Sequence, residues 1–98
     1  MAIVVVIEFP NDPIDKYDRA WEEGGRPMFE QPKRLHHIAY RTGTADVGFT
    51  VVDVWEDEAS FRAFGDVIGL SPEQAEPEGR PTIHPLLGYV GADGVRNP

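Results

Sequence analysis

The sequence predicts a single α+β domain whose strands and helices follow the order β-α-β-β-α-β. Two observations predict this order. Four short apolar segments are rich in β-branched and aromatic residues, which is typical of strands. Two longer segments carry apolar residues three to four positions apart, which is typical of amphipathic helices. The chain has 98 residues, enough for one core only. We place the domain at residues 1–90 and a flexible tail at residues 91–98.

The first strand is predicted at Ala2–Glu8, where five consecutive β-branched residues form a run too short for a helix. The run has no polar alternation, which indicates that both faces of this strand are covered. Pro10 ends the strand.

The first helix is predicted to follow, with Asp12 as its cap and Pro13 at its first position. Gly24 and Gly25 supply its left-handed end. The residues that form its apolar face are Ile14, Tyr17 and Trp21.

The next two strands are predicted at Leu35–Arg41 and Phe49–Glu56. The segment between them, Thr42–Gly48, contains two glycines and an aspartate and suits a hairpin loop. The segment before them, Arg26–Arg34, contains two prolines and little pattern, so we expect a loop there.

The second helix is predicted to begin at an Asp57 cap and to end at Gly69. Its apolar face consists of Phe61, Phe64 and Ile68. Ser71–Gln74 has the form of a capping box and predicts one further helical turn. The last strand is predicted at Thr82–Val90, and Pro85 within it indicates an edge position or a bulge.

This element order is that of the ferredoxin-like motif, a four-stranded antiparallel sheet with two helices on one face. The helices leave the other face uncovered, and we expect that face to carry Val51, Trp55 and Ala39 with part of the first strand. An apolar patch of this kind usually marks an interface. A second copy of the chain would cover it, so the sequence predicts a homodimer that closes into an α/β barrel around a cavity.

The composition excludes several partners. The formal net charge is −8, which argues against nucleic acid and anionic membrane surfaces. There is no cysteine, which excludes disulfides and thiolate chemistry and fits a cytoplasmic location. Residues 1–9 have no basic lead and no cleavage pattern, so no signal peptide is predicted.

Residues 51–61, with the sequence VVDVWEDEASF, resemble the strand-to-helix segment of the antibiotic biosynthesis monooxygenase-like families of the dimeric α/β-barrel superfamily. Those families commonly end the third strand in Trp-Glu and place an aromatic residue about six positions later. The resemblance implies an apolar cavity for a small aromatic or polyketide-like molecule. The activities it implies are cofactor-independent oxygenation, haem degradation or polyketide cyclisation, although many such small proteins have no assigned activity.

Two departures from the family pattern weaken the enzyme hypotheses. Quinone-forming oxygenases of the superfamily often have an asparagine four residues before the strand tryptophan, where this chain has Val51. Haem-degrading members use a helix tryptophan and a histidine about ten residues later, and the matching residues here are Phe64 and Gln74.

Three residues of the middle strands are candidates for chemistry. Trp55 is expected to face the cavity and stack on an aromatic substrate, although a core tryptophan would have the same pattern. Asp53 shares that face and would need a partner there. His37 is expected to face inward and to form an acid–base pair with Asp53, although each could equally serve a structural hydrogen bond. A register error of one residue would place His36 inside instead.

Further residues complete the predicted site, and no metal or cofactor is included. Val51, Tyr40 and His84 are expected to line the cavity and contact the substrate. Acidic residues recur every three positions near the first helix, at Asp12, Asp15 and Asp18. Helix capping and the helix dipole explain them without a metal, and no phosphate-binding loop or nucleotide motif is present.

The leading hypothesis is therefore a homodimer that binds a small aromatic or polyketide-like molecule, with proton transfer or cofactor-independent oxidation as its chemistry. The alternative is a non-catalytic dimer with a filled barrel core. A third possibility is haem binding through His37 or His84. A cavity of at least roughly 300 Å³ would favour ligand binding over a filled core.

Overall fold

The computed structural model describes residues 1–67, 80–91 and 94–96. The elements along the chain are β1 Ile3–Pro13, α1 Ile14–Gly24, α2 Arg26–Phe29, β2 Arg34–Arg41, β3 Val47–Trp55, α3 Glu58–Val67, β4 Thr82–Pro85, β5 Tyr89–Gly91 and β6 Gly94–Arg96. The predicted α+β fold and its β-α-β-β-α-β order are confirmed, and the short helix α2 lies in the segment that we expected to be loop.

Strands β1, β2, β3 and β4 form one antiparallel sheet in the order β2-β3-β1-β4. This is the ferredoxin-like arrangement, in which β3 and β4 flank β1. β4 is an edge strand, as Pro85 predicts, but it ends at Pro85 and is shorter than the predicted Thr82–Val90. The short strands β5 and β6 pair with each other in a separate two-stranded sheet.

β1 is longer than predicted and runs directly into α1. Pro10 does not end it, because β4 pairs only with residues Ile3–Val6, and Pro10 lies where the register with β3 shifts. Pro13 is consequently the last residue of β1 and the N-cap of α1, and no side chain caps the helix. The expected cap at Asp12 is therefore wrong, and its carboxylate instead pairs with Lys16 at 3.1 Å.

Local interactions fix the ends of the helices. The backbone N–H of Ile14 donates to the carbonyl of Asp46 at 2.8 Å, which ties the start of α1 to the β2–β3 loop. Gly25 ends α1 with a φ of +65°, as predicted. Asp57 caps α3, because its Oδ1 accepts a hydrogen bond from the Ser60 N–H at 2.7 Å.

The core lies between the sheet and α3. Trp55 is completely buried, and its ring contacts those of Phe61 and Phe64 with centroid distances of 6.0 and 5.3 Å. Ile3 and Val5 of β1 complete the cluster. Each such side chain contributes roughly 1.5–3 kcal/mol by leaving water, so this cluster is the main anchor of α3.

The helices cover the sheet face that carries Trp55, and this corrects the predicted orientation. In the register, Trp55 shares its face with Ile3, and Asp53 shares it with His37. We expected these side chains, with Val51 and Ala39, on the uncovered face. The opposite side of the sheet, called here the second sheet face, carries the side chains of Val4, Val6, His36, Ile38, Tyr40, Thr50, Val52, Val54, Thr82 and His84.

Some predictions concern residues outside the described ranges. These are the end of the second helix at Gly69 and the extra turn at Ser71–Gln74. The domain boundary at residue 90 and the flexibility of residues 91–98 stay predictions.

Candidate functional site

The strongest candidate site is a chain of hydrogen bonds that joins α1 to the sheet. His37 on β2 and Asp53 on β3 lie opposite each other in the register, and Nδ1 of His37 is hydrogen-bonded to Oδ1 of Asp53. On the other side of the imidazole, Nε2 of His37 is 2.8 Å from the hydroxyl of Tyr17 on α1. We call Tyr17, His37 and Asp53 the relay.

The direction of these hydrogen bonds follows from what each group can donate. An ionised carboxylate only accepts, so Nδ1 of His37 carries the proton that is shared with Asp53. In the neutral imidazole Nε2 is then the acceptor, and the Tyr17 hydroxyl donates to it. This is the arrangement in which a base, oriented by a carboxylate, is in contact with a hydroxyl.

The relay is shielded from solvent by aromatic rings. The side chains of His37 and Asp53 are 20% and 9% exposed. The Trp21 ring lies edge-on to His37 at 5.0 Å, and the Phe49 ring lies edge-on to Tyr17 at 5.7 Å. Hydrogen bonds of this kind are stronger in such surroundings than in water.

A shallow groove of about 170 Å³ lies beside the relay, between α1 and the sheet. The residues that line it are Ile14, Tyr17, Ala39, Tyr40, Arg41 and Phe49. Tyr17 belongs to both the groove and the relay, so its hydroxyl connects them. Arg41 supplies the one cation of this lining, and its nearest carboxylate, Asp46, is 3.5 Å away.

The structure brings together the two predicted catalytic residues but separates the predicted substrate-binding ones. Trp55 is fully buried and presents no ring face to solvent, whereas Val51 is half-buried on the same face. Tyr40, 51% exposed, belongs to the second sheet face but also contributes to the lining of the groove. His84 lies on the second sheet face. The binding roles of these four residues stay predictions.

Sequence reasoning missed Tyr17, which it used only as an apolar position of the first helix. The available signal was chemical: a tyrosine on the inward face of a helix needs a partner for its hydroxyl when it is buried. His36, the alternative to His37, is exposed on the second sheet face.

The described ranges contain no group of three or more histidine, cysteine or acidic side chains that could hold a metal ion. Across the same residues, no helix has the length and apolarity needed to cross a membrane.

Three solved structures share the fold. A conserved protein from Methanosarcina mazei Go1 has a TM-score of 0.60 at 16% identity, covering 86% of this chain and 91% of its own. A heme-degrading protein from Mycobacterium tuberculosis has a TM-score of 0.60 at 15% identity, with coverages of 93% and 100%. SnoaB, a cofactor-independent oxygenase from Streptomyces nogalater, has a TM-score of 0.58 at 14% identity, with coverages of 87% and 92%.

The comparisons by sequence find no relatives: no protein-family model matches the chain, and no curated protein matches it either. At identities this low, similarity of structure is evidence for the fold alone. The chain therefore shares the ferredoxin-like fold of these three proteins, which is the fold that the resemblance of residues 51–61 implies.

Proposed function

We propose that this protein binds a small aromatic molecule in the groove between α1 and the sheet and transfers a proton to or from it through the relay. The observation that carries the proposal is the position of Tyr17. Its hydroxyl donates to a histidine that a buried carboxylate orients, and its side chain lines the groove.

The groove favours a ligand that is mostly apolar. Ile14, Phe49 and Ala39 supply hydrocarbon and aromatic surface, and Arg41 supplies a positive charge near one edge. A phenol or enol matches this lining, because its ring packs on the apolar side chains while its oxygen accepts from a donor.

The relay would remove a proton from such a ligand in one concerted movement. Tyr17 gives its hydroxyl proton to Nε2 of His37 and takes a proton from the ligand. Asp53 stabilises the imidazolium that forms and holds its ring in place. The ligand leaves as an anion, or the proton returns to a different atom of it.

Cofactor-independent oxidation is the reaction that we assign to this proton transfer. Loss of a proton from a ligand CH2 group gives a carbanion, whose reaction with O2 converts the CH2 group into a carbonyl and releases water. The fold shared with SnoaB, a cofactor-independent oxygenase, supports this choice of reaction, and no cofactor is needed for it.

We propose further that the protein is a cytoplasmic homodimer whose second sheet face is the interface. Two large side chains of β2 on this face, Ile38 and Tyr40, are 46% and 51% exposed. Val4, Val6 and Val52 are half-buried on the same face, whereas Val54 is buried within the chain. A second copy of the chain fits it, because a two-fold axis brings the same apolar surface against itself.

Oxygen uptake tests the proposed reaction. Anthrone-like tricycles and polyphenols would be the substrates, with the wild type, Tyr17→Phe and His37→Gln compared in an oxygen electrode. We expect consumption by the wild type and rates lower by about 100-fold or more in both variants. His36→Gln is the matched control and should behave as the wild type. No uptake with any compound, or equal rates in all variants, would contradict the proposal.

A specific observation favours the non-catalytic alternative. The volume of the groove, about 170 Å³, is smaller than the roughly 300 Å³ of the smallest ordinary ligand sites. Trp55 is part of the packed core and does not line a cavity. In this alternative the relay is a structural clamp between α1 and the sheet. Absence of any ligand-induced change in tryptophan emission across the same panel would support it.

Haem ligation does not fit His37. Both of its ring nitrogens are already hydrogen-bonded, one to Tyr17 and one to Asp53, so iron would have to displace one of these partners. His84 is exposed on the edge strand β4, on the face that we assign to the dimer interface.

A further inference from the structure

The positively charged guanidinium of Arg34 lies among aromatic rings at the end of the sheet. It is the first residue of β2, and it lies opposite Trp55 on the helix-covered face. Its guanidinium carbon is 5.4, 5.5 and 5.8 Å from the ring centres of Trp21, Phe64 and Trp55, respectively. One Nη2 hydrogen is donated to the backbone carbonyl of Met28.

Among the described residues, Arg34 has no acidic partner. In the part of the chain that the structure describes, six basic residues form an ion pair with an aspartate or a glutamate, namely Lys16, Arg19, Arg26, Lys33, Arg41 and Arg62. Arg34 forms none with the described residues. A guanidinium has five N–H donors in a planar fork, and only the one that reaches Met28 has an acceptor within those ranges.

A second donor lies in the same surroundings. Trp55 is completely buried, and its Nε1 has no hydrogen-bond acceptor among the described residues. Buried indole N–H groups usually have one. Solvent does not reach this N–H, so the Arg34 guanidinium is the donor that is open to a ligand. Because a guanidinium can only donate, an anion is the ligand that suits it.

The neighbouring surface indicates what the rest of the ligand is. The ring of Trp21 lies against that of Phe29 at 5.1 Å, and Phe29 is 62% exposed. A flat ring of a ligand can therefore pack on accessible aromatic surface close to the guanidinium. An inorganic anion has no ring and would not make this contact.

We propose that Arg34 is an anion-binding residue that holds the carboxylate of an aromatic acid, with Trp21 and Phe29 against its ring. This site is separate from the groove. Trp21 lies between the two, since it contacts Arg34 on one side and His37 on the other. Binding at Arg34 does not require that the relay transfer protons.

Calorimetric titration of the full chain with naphthoate and with naphthamide tests this proposal. The two probes have the same ring system, but only the acid carries a charge. We expect the wild type to bind naphthoate at least about tenfold more tightly than naphthamide. Arg34→Gln should lower the affinity for naphthoate to that for the amide, and Arg34→Lys should retain part of the difference because it keeps the charge without the planar fork. Arg26→Gln removes an exposed arginine that pairs with Glu30 and should change neither affinity.

Nuclear magnetic resonance supplies an independent readout. The indole N–H signal of Trp21, assigned with Trp21→Phe, should shift more on addition of naphthoate than on addition of the same concentration of naphthamide. Equal binding of acid and amide by the wild type, or no binding of either, overturns the proposal without any variant. Unchanged naphthoate affinity in Arg34→Gln overturns it as well.

Discussion

The hydroxyl of Tyr17 in α1 donates to Nε2 of His37 in β2 across a distance of 2.8 Å. The two rings are almost parallel, with an interplanar angle of 5° and a centroid separation of 6.0 Å. None of the residues of α1 is fully buried, so this bond is one of the few specific contacts that position the helix on the sheet. It joins residues 20 positions apart and places a phenol against an oriented base.

Removal of this hydroxyl should weaken the fold slightly. Tyr17→Phe keeps the ring but leaves Nε2 of His37 without its donor, so we expect a free energy of unfolding lower by about 1 kcal/mol in urea titrations. Tyr40→Phe is the control, because Tyr40 is half-exposed on the second sheet face, and it should change stability by less than about 0.5 kcal/mol. Equal effects of the two substitutions would show that the Tyr17 hydroxyl contributes nothing.

His37 and Asp53 should be energetically coupled. We expect a double-mutant cycle of His37→Ala and Asp53→Ala to give a coupling free energy of about 1–3 kcal/mol, because each substitution removes the hydrogen bond between Nδ1 of His37 and Oδ1 of Asp53. A parallel cycle of His36→Ala and Asp53→Ala should be additive within about 0.5 kcal/mol, since His36 lies on the opposite face. Additivity in the first cycle would contradict the structure.

The core cluster should be sensitive to truncation where the exposed aromatics are not. Phe64→Ala removes a ring that is 8% exposed and packs on Trp55. We expect the free energy of unfolding to fall by about 3–5 kcal/mol, or the chain to be unfolded. Phe29→Ala, at a position that is 62% exposed, should cost less than about 1 kcal/mol. Chemical denaturation of both variants measures the difference, which would vanish if α3 were not anchored through Phe64.

The cap of α3 should lose its effect in acid. Hydrogen bonds from Ser60, first from its side chain and then from its backbone, hold the pKa of Asp57 below its ordinary value of 3.8. Because the folded-state pKa is the lower one, the stabilisation is present above pH 3.8 and is lost as the pH falls through the folded-state value.

Two substitutions separate the cap from its charge. Asp57→Asn retains a capping oxygen and should remove this part of the acid dependence while leaving most of the stability at pH 7. Asp57→Ala should lower the thermal midpoint at pH 7 and lower it by less at pH 3. Thermal unfolding at pH 7 and pH 3 measures both effects, and an Asp57→Asn variant with the same acid sensitivity as the wild type would refute the assignment.

A charge on the second sheet face should separate the proposed dimer. Sedimentation of the wild type should give twice the 10.9 kDa of one chain, whereas Ile38→Lys should give a monomer because two lysines would face each other across the axis. Val67→Lys, a 62% exposed position on α3, should remain dimeric. A monomeric wild type would rule out the interface.

Much of the fold and part of the site could be predicted from the chain alone. Strand alternation places His37, Asp53 and Trp55 on one face, and the register confirms that grouping. The hairpin that pairs them follows from two apolar segments separated by a loop with glycines. A period of two residues is therefore sufficient to predict which side chains can meet.

The same alternation could not predict which face the helices cover. β1 is apolar on both sides, with Ile3 and Val5 on one face and Val4 and Val6 on the other, so neither face is distinguished by hydrophobicity. The role of Tyr17 also depends on the rotation of α1 about its axis. That rotation is set by the end of β1 at Pro13. The sequence alone predicts that β1 ends earlier, at Pro10.

The junction between β1 and α1 has a consequence for how the chain tolerates changes in length. No residue separates Pro13 from Ile14, and the hydrogen bond to Asp46 fixes the first turn. One inserted residue there would rotate every side chain of α1 by about 100° and turn the phenol away from the imidazole. Insertions after Gly25 leave that phase unchanged. The chain should therefore tolerate insertions and deletions after α1 but not between β1 and α1.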